Sequence, residues 1–230
     1  KKERKGLLNY IHFSDTSRWD VLYYSSQSKI ESLYNTTTIG NCLAFYMVDK
    51  NNLSLRMETG KTPEKIFHYI GMENIEKNSG ILSSFQLLKG KVIKSQTIRI
   101  PKGFIIFGKL RPYLNKYWVN NEDYDNILCS SEFLCFYPKK QINTMYFKFI
   151  LSSYIIQDQI SDTMTGARMP RINEKIFKNI IIPIPPKHVQ DTISNCLIEM
   201  EKEAFRLKCE SIAQQEAANK IFTKELFIDL

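Results

Sequence analysis

Apolar and β-branched residues fall in short runs through the middle of the chain, and a helical rhythm takes over toward its carboxyl end. Six runs read as strands: residues 39–48, 67–70, 95–100, 104–110, 116–120 and 131–137. Breakers separate them. Gly60 and Pro63 mark 57–65 as a loop, 71–80 is a polar connection, Pro101-Lys102-Gly103 is a turn and 121–126 is an acidic loop. The run 104–110 (FIIFGKL) reads as a buried strand, and its Gly108 points to a bulge or a close backbone approach. The first 40 residues are polar and dotted with aromatics, without a clear period; 25–28 is a loop.

Helical spacing then appears. Tyr146, Phe149, Ile150, Ser153 and Ile156 recur three or four residues apart, which predicts one amphipathic helix over 144–160. Residues 161–173, with Gly166, Pro170 and two arginines, read as a loop. Residues 177–184 (FKNIIIPI) read as a strand, where Pro183 argues for an edge or a strand end. Pro185-Pro186 opens a helix, and neither proline nor glycine occurs again. Ile193, Met200, Leu207, Gln214, Ile221 and Ile228 recur every seven residues, with Leu197, Ala204, Ser211, Ala218 and Glu225 as a second track. This heptad seam lasts about five repeats. At ~1.5 Å per residue the helix would be roughly 64 Å long, more than a body of 185 residues spans, so it needs a partner helix. The alternative is a helix broken at 211–215 and folded back, against which stands the lack of any turn residue there.

These elements define an α+β protein, a β-rich mixed domain over 1–185 (with 1–38 as a lead-in) followed by a long coiled-coil-type helix over 186–230. With 43% hydrophobic and 24% charged residues, 230 residues can bury a sizeable core, and no run approaches the ~18 apolar residues of a membrane span. The amino end, KKERKG, is no signal peptide and lacks Met, so the chain reads as a piece of something longer. Net charge is +8, unevenly spread: residues 186–230 hold six Lys/Arg against eight Asp/Glu, leaving 26 against 16 elsewhere. A body of +10 with a mildly acidic tail points to a polyanionic partner, although solubility alone accounts for such a charge equally well. Five cysteines without CxxC spacing and three histidines support neither a disulfide framework nor a zinc site, which suggests a reducing, cytoplasmic setting. Cys129 and Cys135 read as small buried hydrophobes.

Catalytic signatures are missing. There is no phosphate-binding glycine loop, no Gly-x-Ser-x-Gly, no HExxH and no Asn/Asp-Pro-Pro-aromatic motif. The acidic loop at Glu122, Asp123 and Asp125 is more simply a solvated turn than a cation site. Binding chemistry is better represented. The run from Lys109 to Trp118 interleaves Lys109, Arg111 and Lys116 with Tyr113, Tyr117 and Trp118. Its cations suit phosphates, and arginine can also read guanine with two hydrogen bonds. Gly60-Lys61-Thr62-Pro63, followed by Lys65, offers N–H groups, a hydroxyl and ammonium groups; Thr165-Gly166-Ala167-Arg168-Met169-Pro170-Arg171 adds two arginines.

The order of these loops resembles the target-recognition domain of type I restriction–modification specificity subunits, found also at the carboxyl end of fused N6-adenine DNA methyltransferases. Five segments carry the resemblance: Gly60 to Pro63; Tyr69-Ile70-Gly71-Met72-Glu73-Asn74-Ile75; Pro101 through Lys116; Ser130-Ser131-Glu132-Phe133; and Ile182-Pro183-Ile184-Pro185-Pro186 leading into the helix. It covers 39–230. The family relation implies a non-catalytic module that binds double-stranded DNA, reads one half of a split site and directs a methyltransferase and endonuclease to it. S-adenosylmethionine, ATP and Mg²⁺ would belong to partner subunits or an upstream domain, and the helix would pack on a partner helix and on a methyltransferase subunit. One recognition domain and one helix stand here where the family usually has two of each. Val189-Gln190 stands where Glu-Gln is frequent, and 13–20 resembles the junction of fused methyltransferases, which favours a carboxyl-terminal fragment over a half-subunit.

On this reading Lys61, Thr62, Lys65, Lys109 and Lys116 meet phosphates or backbone, and Arg111, Tyr113, Arg168 and Arg171 meet bases or backbone. Ile193, Leu197, Met200, Ala204, Leu207, Ile221 and Ile228 pair helices, with a homodimer as one outcome. The rival from another class is a scaffold that assembles methyltransferase subunits through its long helix.

Overall fold

Residues 104–107, four apolar side chains in a row, can be a strand only if both faces are covered. The computed structural model, which describes residues 32–45, 56–57, 61–94, 96–163 and 169–226, shows that arrangement. Expectations for 1–31, Gly60, Arg168 and Ile228 lie outside the described residues.

Contacts divide the chain into Lys1–Pro185 and Pro186–Leu230. In the first unit, strands β1 (Thr36–Thr38), β2 (Leu43–Phe45), β3 (Arg56–Met57), β4 (Ile66–Ile70), β5 (Gln86–Lys89) and β6 (Thr97–Arg99) precede β7 (Ile105–Gly108). Then come β8 (Tyr117–Val119), β9 (Ile127–Ser130) and β10 (Phe133–Pro138). A short helix α1 (Ile39–Cys42) links β1 to β2, and α2 (Thr144–Ser152), α3 (Tyr154–Thr163), α4 (Glu174–Lys178) and β11 (Ile181–Pro183) close the unit.

One sheet has the order β2-β10-β7-β8, all antiparallel; another runs β3-β6-β9-β4-β5, with β4 and β9 parallel; β1 pairs with β11. Alternation along the central strands partitions the core. Ile105 and Phe107, with Tyr117, Val119, Leu134 and Phe136, face a cluster that includes Phe147, Leu151, Ile156 and Phe177 from α2, α3 and α4. Their neighbours Ile106, Trp118, Phe133 and Cys135 face the second cluster, built with Ile70, Ile98, Ile127 and Cys129 of the five-stranded sheet. Cys129 and Cys135 are thus buried among apolar side chains, as their setting in the sequence suggests.

Several elements differ from the sequence reading. The run at 39–48 begins as α1 and only then becomes β2. The expected helix over 144–160 is two helices. Ser153 is extended (φ −74°, ψ 151°), and both its N–H and its hydroxyl donate to the Ile150 carbonyl, at 3.0 and 2.7 Å, which ends the first helix. Phe177 and Lys178 belong to α4, capped by the Asn173 side chain accepting from Ile176 N–H at 2.8 Å; the strand after it is only Ile181–Pro183. The short strands β1, β3, β5 and β9 had no distinguishing period.

In the second unit, α5 (Lys187–Leu226) runs unbroken through Ser211 to Gln215, about 60 Å at ~1.5 Å per residue. Ion pairs Glu199–Lys202 and Glu203–Arg206–Glu210 line it. Met200, Leu207 and Ile221 of the seam are exposed. Among the described residues no helix is long and apolar enough to cross a membrane.

Candidate nucleic-acid interface

After β7 the chain must turn within a few residues to return as β8, and the cations of the 109–116 run sit in that turn. Gly108 lets it pass close to Met72: a Cβ at Gly108 would stand 2.8 Å from Met72 Cε. Arg111 (φ 49°) and Asn115 (φ 45°) take left-handed conformations at the two ends of the 3-10 turn Pro112–Leu114. Asparagine is among the residues that adopt this conformation most readily, and Asn115 is also anchored across the fold, its Nδ2 donating to the Leu151 carbonyl at 3.0 Å.

The turn is laced to two other segments. Lys109 N–H donates to the Glu132 carbonyl at 2.8 Å, just before β10 begins. Leu110 and Arg171 form an antiparallel bridge, flanked by Arg111 N–H on the Pro170 carbonyl (2.8 Å) and Ile172 N–H on the Lys109 carbonyl (3.0 Å). Lys109, Arg111 and Arg171 are therefore held on one framework of main-chain hydrogen bonds. Arg111 is steadied by Tyr113: its Nε donates to the phenol oxygen, and Cζ lies 5.5 Å from the ring centroid. Arg171 is steadied by Glu132, with Nη1 3.1 Å from Oε1 and 2.9 Å from Oε2. Arg111, Tyr113 and Arg171 are exposed. Lys116 differs, for its ammonium turns inward and donates to the Met72 carbonyl at 2.6 Å.

Lys61, Thr62 and Lys65 lie elsewhere. They precede β4, whereas Met72 follows it, so the length of that five-residue strand, about 16 Å at ~3.3 Å per residue, separates the two groups. Here the loop is tied to the end of β5, with Gly90 N–H on the Lys65 carbonyl (2.9 Å) and Lys91 N–H on the Pro63 carbonyl (3.0 Å). The ammonium groups of Lys91 and Lys89, 2.8 and 3.0 Å away, hold the Glu64 carboxyl below the usual carboxylate range, and the carboxylate in turn offsets part of the corner's positive charge. All three expected residues there are exposed.

Two features escaped the sequence reading. Glu132 stood in a quoted motif, but its pairing with Arg171 joins segments far apart in the chain. A cleft of about 450 Å³, walled by Phe85 and Trp118 and edged by Asn121, Glu122 and Lys148, opens beside a ring cluster in which His68 stacks on Tyr124 at 4.1 Å.

In chain order, a mixed-sheet body with a cationic turn braced from two sides is followed by a long helix with an apolar seam. The chain belongs to the type I restriction modification DNA specificity domain family, whose model matches residues 47–215. Over 127 residues it is 29% identical to the type I restriction enzyme EcoDI specificity subunit of Escherichia coli, a match covering 54% of this chain and 27% of that protein. Two solved structures share the fold. A chain from a study of complex assembly and conformational transition of the type I R-M system has a TM-score of 0.64 at 22% identity, covering 88% of this chain and 53% of that one. The HsdS subunit from Thermoanaerobacter tengcongensis has a TM-score of 0.62 at 23% identity, covering 89% and 53%. The chain thus spans about half of these structures and less of the E. coli relative.

Proposed function

We propose that this chain binds double-stranded DNA, reads one half of a split target, and brings a methyltransferase to it. The observation that carries this reading is the braced set of Lys109, Arg111, Tyr113 and Arg171: a half-buried lysine, two exposed arginines and an exposed tyrosine on two segments laced to each other and to Glu132. Such an arrangement suits bases and phosphates presented together, because fixed donors lose little entropy on binding. The corner at Lys61, Thr62 and Lys65 would reach flanking phosphates, and Arg168 would add to the arginine loop. Lys116, turned onto Met72, would shape the turn and meet phosphate only after releasing that carbonyl.

The helix supplies the second half of the function. Its seam, Ile193, Leu197, Met200, Ala204, Leu207 and Ile221, continuing to Ile228, would pair with the same helix of a second copy, and the pair would present a surface to the methyltransferase subunit. S-adenosylmethionine, ATP and Mg²⁺ would be bound by that partner machinery in the cytoplasm.

Titration of random-sequence duplexes in a gel-shift assay tests the electrostatic part. Association should weaken by tenfold or more between 50 and 200 mM salt, as expected for several phosphate contacts. No shift even at low salt would leave the scaffold as the function of this chain.

A further inference from the structure

Glu132 is the acidic group in the cationic framework, and its geometry is specific. Its Oε2 is shielded from solvent and accepts no hydrogen bond, so the guanidinium of Arg171, 2.9 Å away, is the cation that offsets it. Both carboxylate contacts use the same nitrogen, Nη1. Among the described residues the Nε–Nη2 edge of Arg171 has no partner, and the side chain is 60% exposed. The backbone on both sides is fixed, by the Leu110–Arg171 bridge and by Lys109 N–H on the Glu132 carbonyl.

Two consequences follow. Pairing with a carboxylate cancels the net charge of Arg171, which makes it a poor phosphate ligand. The same pairing restrains the guanidinium through Nη1 alone and leaves its Nε–Nη2 edge unpartnered among the described residues, a fork able to donate two hydrogen bonds to the O6 and N7 of guanine. A cation meant for phosphate gains nothing from a half-buried acidic partner; a base reader gains orientation and discrimination. We infer that Glu132 is a positioning residue that sets Arg171 to read a guanine in the major groove, and that it suppresses binding to unrelated DNA. The inference rests on the DNA-recognition reading above and deepens it.

Sites are selected from a randomised duplex pool with the full chain, then with Glu132→Gln and Arg171→Lys. The unchanged chain should enrich a motif containing an invariant guanine. Glu132→Gln removes one negative charge, so its affinity for random duplex should rise about twofold or more at low salt while preference for that guanine falls about tenfold. A merely structural lesion would lower both. Arg171→Lys keeps the charge but lacks the fork; it should lose preference at the same base position, and it decides the matter if Glu132→Gln fails to fold. Retention of the guanine by both variants, or loss spread evenly over every position, overturns the inference while leaving the recognition function intact. Failure of the unchanged chain to enrich any motif overturns both.

Discussion

Tyr146 carries its hydroxyl to the Pro183 carbonyl at 2.9 Å, fastening α2 to the last strand of the body. Burial, helped by Cys42 and Tyr34 nearby, pushes this phenol from 10.0 up to about 12. Burial likewise pushes the Cys135 thiol from 9.0 to about 12 and raises Cys129 well above its ordinary value. Each group holds its proton more tightly in the folded state. Their contribution is complete below the unfolded values, near 9 and 10, and is lost as pH rises toward 12. Stability measured by urea denaturation should therefore fall across that alkaline window. Tyr146→Phe should cost ~1–2 kcal/mol at neutral pH and flatten part of the alkaline decline. Unchanged stability would show that the hydrogen bond contributes nothing net. The cations of the candidate site were visible in the sequence as residue types, but their orientations were not. Nothing local distinguishes Lys109 from Lys116, yet one sits in the braced framework and the other is turned onto Met72. That difference depends on Gly108 admitting the 72–74 turn, a contact between distant segments.

Strands β7, β8 and β10 were legible because each buries both faces and so keeps its apolar run, whereas β3 is an edge strand of two residues and β5 an edge strand that alternates half-buried and exposed positions. The division at Ser153 was hidden because its helical spacing continues on both sides; a serine hydroxyl bonded to the preceding turn decides it. For α5, the proposed pairing with a second copy would have a preferred orientation. A parallel pair would set Ala204, Ser211 and Ala218 each against itself, leaving three under-filled layers. An antiparallel pair centred between Ile212 and Ala213 sets Leu207 against Ala218, Ile221 against Ala204, and Ser211 against Gln214, one large and one small residue in each apolar layer. It also brings Glu203 near Lys224 of the second copy. With exposed Cys196 and Cys209 changed to serine, Leu207→Cys combined with Ala218→Cys should give an oxidised dimer, and Leu207→Cys alone should not. Efficient cross-linking of the single variant would establish the parallel arrangement, and a strictly monomeric chain would assign the seam to another protein's helix.

For the whole molecule, charge is unevenly distributed along the chain. The body holds the cationic excess and the helix is mildly acidic, so the polyanion should be drawn to the former and kept from the latter. Charge alone, however, would give only salt-sensitive binding to any duplex. On the proposed function the braced arginines would distinguish a target reader from a general DNA coat, which makes the ratio of affinities the decisive quantity. The most direct test compares dissociation constants for a duplex recovered by selection and for a random duplex, at one fixed salt concentration. The account predicts a ratio of about 10³ or more, reduced roughly tenfold by Arg111→Ala. A ratio near one, unaffected by that substitution, would contradict it.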